Sequence, residues 1–139
     1  MEVQRIGDDT SGGYCWDRTR KMGVNSLGFR MIQHKTFFEV DADCIEHMDR
    51  IPWKQNKKWL DLLSHSGSPL FVSINPGLVT EEIKADLMQA FAVASFQKDS
   101  CILIDWLHTT TPERWLINAM EMKYNWYDEK GVRDFGVLI

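Results

Sequence analysis

Hydrophobic positions along the chain alternate between two rhythms. Ile83, Leu87, Ala90, Phe91 and Ala94 recur at i, i+4, i+7, i+8 and i+11, the apolar stripe of a helix. Thr80 precedes that stripe as an N-cap, and Glu81 and Glu82 suit the positive end of the helix dipole. A second helix is predicted from Pro52, which fits a first turn, to Gly67, a C-terminal stop. Trp53, Trp59, Leu60, Leu62 and Leu63 give it an apolar side.

Shorter runs lie between these helices. Residues 2–6 (Glu-Val-Gln-Arg-Ile), 35–41 (Lys-Thr-Phe-Phe-Glu-Val-Asp) and 69–74 (Pro-Leu-Phe-Val-Ser-Ile) read as strands. They close on Gly7, on Asp41-Ala42-Asp43-Cys44 and on Asn75-Pro76-Gly77. A weaker helical pattern from Tyr14 to about Met22 turns Asp17, Arg18, Arg20 and Lys21 toward solvent, and an irregular Gly-Val-Asn-Ser-Leu-Gly segment follows. Residues 101–107 are apolar but irregular, and the tail from Thr109 carries Trp115, Trp126 and Tyr127 without a readable period.

Strands separated by helices predict βαβ units, a parallel sheet and right-handed crossovers. A closed (β/α)8 barrel needs eight strands and roughly 200 residues or more. At 139 residues the chain is expected to hold only part of such a barrel.

Composition narrows the classes of function. With 44% hydrophobic and 26% charged residues the chain matches a globular domain. A net charge of -4 without a Lys/Arg cluster argues against a nucleic-acid partner, and Lys54, Lys57 and Lys58 read as a solvated helix face. Cys15, Cys44 and Cys101 lack zinc spacing and read as free thiols. No apolar leader core or run of 18 apolar residues occurs, so neither a signal peptide nor a membrane partner is expected, and the compartment stays unassigned for a fragment. Aromatic residues make up 12%, enough to include sugar-stacking rings, although most are expected in the core.

In parallel α/β folds, chemistry gathers at the C-terminal ends of strands. That rule selects Asp8 and Asp9, with Arg5 four residues before Asp9, and Asp41 and Asp43. Two carboxyl groups across a glycosidic bond serve as acid and nucleophile, about 5 to 5.5 Å apart in retaining enzymes. One must stay protonated, which burial can arrange, while an arginine holds sugar hydroxyls or keeps the other ionised. The plainer reading of Asp-Asp-Thr-Ser-Gly-Gly is turn chemistry. On an extended strand Asp41 and Asp43 point the same way and could share a metal or a sugar hydroxyl. Without a His or Glu partner at fixed spacing, no metal site is predicted, and the plainer reading is a rim pair bonded to backbone N–H groups and arginines. His34, His47, His65 and His108 read as structural, with His34 alone placed near a site. Gly12-Gly13 lacks the glycine and lysine of a phosphate loop, and no nucleophile–histidine arrangement stands out.

Three blocks taken together carry a resemblance: Phe38-Glu39-Val40-Asp41-Ala42-Asp43-Cys44, then Ile51-Pro52-Trp53-Lys54-Gln55-Asn56 with Trp59-Leu60-Asp61-Leu62-Leu63, then Ser66-Gly67-Ser68-Pro69-Leu70-Phe71-Val72-Ser73. In order and spacing they resemble the last two βα units of α-galactosidase (melibiase) barrels. Arg5-Ile6-Gly7-Asp8-Asp9-Thr10 looks like that family's sixth-strand motif, an arginine followed four residues later by the general acid/base aspartate.

The resemblance spans about residues 1–115 and implies an α/β fold, a partial (β/α)8 TIM barrel made of strands six to eight, with 116–139 as a C-terminal tail. It implies Asp9 as acid/base, with Asp8 as the alternative one residue away, and Arg5, Trp16 and Asp41 as substrate-binding residues. The implied activity is retaining hydrolysis of terminal α-linked sugars, with a carbohydrate partner and no cofactor. The family's nucleophile ends a fourth strand that this chain lacks, so the chain is expected to be an inactive fragment. The alternative is a non-catalytic remnant that binds carbohydrate or protein and self-associates through open sheet edges.

Overall fold

The computed structural model describes residues 1–9, 15–96, 101–127, 132–133 and 137–138. Strand β1 (Val3–Arg5) precedes a helical stretch formed by α1 (Trp16–Arg18), a π-helical turn (Thr19–Asn25) and α2 (Ser26–Arg30), closed by a 3-10 turn (Met31–Gln33). Then come β2 (Glu39–Asp41), β3 (Cys44–His47), α3 (Trp53–Ser66), β4 (Phe71–Ile74) and α4 (Glu81–Phe96). β5 (Cys101–Leu103), β6 (Arg114–Ile117) and β7 (Met120–Lys123) follow, with a last short pair, β8 (Val132–Arg133) and β9 (Val137–Leu138).

The two strongest helical patterns form where their stop signals set them. α3 begins after Pro52 and ends at Gly67, whose φ of 83° is the left-handed conformation that favours glycine. Its Trp59, Leu60, Leu62 and Leu63 are buried. Thr80 Oγ1 accepts the Ile83 N–H at 3.2 Å and caps α4. Of the α4 stripe, Ile83 and Ala90 are buried but Phe91 is exposed, so only part of it meets α3.

The partial-barrel expectation is not met. The described strands form separate sheets of two or three, partly parallel and partly antiparallel. β1 pairs with β2 and β3 with β4 in parallel, but the backbone breaks between them at Asp43, where φ is 73° and the N–H turns to the Asp41 carboxylate at 2.8 Å. No continuous parallel wall forms. After α4 the chain makes an antiparallel sheet, β5-β6-β7, because Asn118 and Ala119 both take left-handed conformations (φ 50° and 64°) and fold β7 back on β6. The segment predicted to be irregular after Met22 is helical, and Arg20, expected in solvent, is buried: it pairs with Asp17 at 2.6 Å and lies over the Tyr127 ring at 4.4 Å. Residues 10–14, which include most of the glycine-rich loop, lie outside the described residues.

The core joins Val24 and Leu27 of the helical stretch, Val40 and Ile45 of the parallel pairs, the apolar side of α3, and Trp115, Ile117 and Trp126. Gly7 lets the chain pass the π-helical turn, since a Cβ there would lie 2.7 Å from the Met22 carbonyl oxygen.

Asp86 of α4 clamps α3, accepting the Trp53 indole N–H at 2.8 Å and pairing with Lys57 at 2.7 Å. Burial works to raise its pKa, but Lys57 and the indole outweigh it and hold the carboxyl below the ordinary aspartate value of 3.8. A depressed folded-state pKa contributes stability above the unfolded value, and that stability is lost as pH falls through the folded one. Asp86→Asn is therefore expected to cost about 1 kcal/mol at neutral pH, with the gap closing as pH drops below 3.8. Urea midpoints of both proteins across that range test this; a gap that persists in acid refutes it.

Candidate functional site

β1 and β2 run parallel with Arg5 opposite Asp41, so the residues that end both strands meet. The Ile6 N–H donates to the Asp41 carbonyl at 3.0 Å and extends the register by one residue. The Asp41 carboxylate accepts the Asp43 N–H and so fixes the left-handed turn that takes Asp43 out of the strand. Asp41 and Asp43 thus do not point the same way on an extended strand, as their spacing had implied.

Arg5 is the hub of the cluster. Its Nη2 lies 2.6 Å from Asp9 Oδ1 and 2.8 Å from Asp43 Oδ2. Burial pulls the guanidinium pKa down, but Asp43, then Asp9 and Asp41, outweigh it and raise the pKa. Both carboxylates touch the same guanidinium nitrogen. The guanidinium fills the space between them, so this is a salt-bridged pair and not an open acid–nucleophile cleft.

Arg18 secures the loop from the helix side. Its Nη2 meets Asp8 Oδ2 at 2.6 Å and its Nε donates to the Asp9 carbonyl at 2.7 Å. The Asp9 N–H also donates to Asp8 Oδ1 at 2.8 Å, and this bond, with Arg18, lowers the Asp8 pKa. The Asp9 side chain is 73% exposed.

The expected site residues divide. Arg5, Asp8, Asp9 and Asp41 come together, joined by Asp43 and by Arg18, whose place in the helical pattern points to solvent. Trp16 is engaged elsewhere: its indole N–H donates to the Trp126 carbonyl at 2.6 Å and its ring lies 6.2 Å from that of Trp126. His34 holds a strand, its Nδ1 accepting the Val40 N–H at 3.1 Å, and burial, then Lys35, lowers its pKa toward the neutral ring this bond requires. No signal in the sequence marked Arg18, because its partners lie nine and ten residues away across a loop.

Among the described residues no group of three or more His, Cys, Asp or Glu side chains is placed to hold a metal ion, and no helix is long and apolar enough to cross a membrane. No protein-family description, curated protein or solved structure matches the chain.

None of the three cysteines is in a disulfide, and they differ in setting. Burial, then the charges of Asp43 and Glu46, pushes the Cys44 thiol up to about 12, and burial pushes Cys101 up to about 12. Cys15 is exposed. Because the thiolate is the reacting form, a disulfide reagent at mildly alkaline pH is expected to label one thiol quickly and the other two only as the chain unfolds. Equal rates at all three would contradict this.

Proposed function

We propose that the chain carries the acid/base half of a retaining glycoside-hydrolase site of α-galactosidase type, acting on terminal α-linked sugars. The observation behind this reading is the 2.6 Å contact between Arg5 and Asp9 where β1 ends beside Asp41. It fixes one carboxylate oxygen and leaves the group exposed enough to meet a substrate. Arg5 and Asp41 are the sugar contacts in this reading, and Asp43 holds Arg5 in place.

In the first step a protonated Asp9 gives its proton to the glycosidic oxygen as the C1–O bond breaks and a carboxylate supplied from outside this chain forms a glycosyl ester. In the second, ionised Asp9 takes a proton from the water that attacks C1, and the C1–O bond of the ester breaks, freeing the sugar and the carboxylate. Without that nucleophile the chain turns nothing over. Asp9→Ala in a parent protein that contains the nucleophile is expected to lower kcat on an unactivated α-galactoside by about 10²- to 10⁴-fold, with a smaller loss on a nitrophenyl glycoside, whose leaving group needs no proton. Near-normal turnover of the unactivated substrate would end the proposal.

A second reading, a non-catalytic association module, is favoured by exposed apolar side chains on neighbouring elements: Phe29 and Ile32 beside Ile102 and Trp106. β5 is also an edge strand of its sheet. Sedimentation over a wide concentration range separates the two. A concentration-dependent dimer that Ile102→Lys abolishes supports association, and a monomer throughout rejects it.

A further inference from the structure

Beyond the Arg5 cluster, a cavity of about 550 Å³ opens where β3 and β4 end and α3 and α4 begin. Its volume falls within the range of small-molecule sites. His47, Asp49, Arg50, Trp53, Thr80 and Ile83 are among the residues that line it. From the sequence alone His47 reads as structural.

The His47 ring is fixed from two sides. Asn56, itself buried, brings its amide nitrogen to 3.1 Å from Nδ1, and Trp53 meets the ring edge-on with centroids 5.2 Å apart. With Asn56 donating to Nδ1, the ring proton sits on Nε2. Among the described residues Nε2 has no hydrogen-bond partner, although only 5% of the residue is exposed. Trp53 is held in turn, its indole N–H bonded to Asp86, so the wall is set before any ligand arrives.

These groups differ in character in a way that selects a ligand. A histidine N–H donor, a carboxylate and a guanidinium border a wall that includes an indole and Ile83. Asp49 disfavours an anion and Arg50 disfavours a cation, whereas a neutral polyhydroxy ring uses both, donating to one and accepting from the other while its C–H face covers apolar surface. We propose that this cavity is a second carbohydrate subsite, taking one pyranose unit through His47, Asp49 and Arg50. The choice of sugar as ligand rests on the glycosidase reading; the role of Asp9 does not enter.

The test is a titration of the isotope-labelled 139-residue chain with D-galactose and, separately, D-glucose, following the Trp53 indole N–H, assigned through Trp53→Phe. A saturable shift in the millimolar range is expected with at least one of the two. Asp49→Asn and Arg50→Gln alter exposed side chains and are expected to leave the amide spectrum in place while weakening binding about tenfold or more together. Asp9→Ala is expected to leave the Trp53 shift unchanged. No Trp53 response to either sugar, or a response that survives both substitutions, overturns the subsite. Shifts confined to Arg5 and Asp9 also overturn it and leave the glycosidase reading standing. A Trp53 response beside full turnover by Asp9→Ala in the parent would remove the catalytic reading and keep the subsite.

Discussion

The carbonyl of Pro112 gathers the aromatic residues of the C-terminal third of the described chain into one unit. Two fully buried tryptophans donate their indole N–H groups to it, Trp115 at 2.9 Å and Trp126 at 2.6 Å. A buried indole left without an acceptor forfeits about 1–3 kcal/mol, so this shared acceptor lets two large rings enter the core together. Trp126 then organises its neighbours. Tyr124 stacks on it with centroids 5.0 Å apart and donates to Asp61 of α3 at 2.7 Å, while the Trp126 carbonyl accepts the Trp16 indole of α1. Burial, then Asp61, raises the Tyr124 pKa, so the phenol keeps the proton it donates. Trp59, also buried, has no partner for its Nε1 among the described residues.

This aromatic anchor is how the cluster around Arg5 acquires its second arm. α1 carries Trp16, fastened to Trp126, and two residues later Arg18, which reaches Asp8 and the Asp9 backbone. The acidic loop after β1 is therefore held from one end by strand pairing with β2 and from the other by a helix docked on the distant tail. Arg5 and Arg18 are both partly exposed, so each ion pair contributes little to stability. Their effect is positional: they fix which carboxylate oxygens are already engaged.

The cavity lined by His47 shows the same division between framework and polar lining. Asn56 and Trp53 belong to α3, whose apolar side is buried, and Asp86 comes from α4. Packing between these helices sets the histidine and the indole, while Asp49 and Arg50 sit on a connection whose left-handed residue, Asp49 with φ 64°, ends the run of β3. Polar clusters at both places thus fall where a short parallel strand stops, and in both an aspartate with positive φ makes the stop.

The sequence by itself determined the local decisions. Pro52 and Gly67 bounded α3, Thr80 capped α4, and Arg5 and Asp9, four residues apart, met as an ion pair, because each depends on neighbours a few residues away. Tertiary structure decided everything that needed distant partners. The alternation of strands and helices implied a continuous parallel wall, but the left-handed Asp43 broke it, and Asn118-Ala119 folded the tail into an antiparallel sheet that its aromatic residues concealed by having no period. Arg20 went inside because Asp17 and the Tyr127 ring offset the cost of burying its charge. Arg18 joined the acidic cluster, and Trp16 left it for Trp126. Side-chain pairing over a hundred residues leaves no periodic trace in a single chain, because the free energy that selects it arises only once both partners are packed.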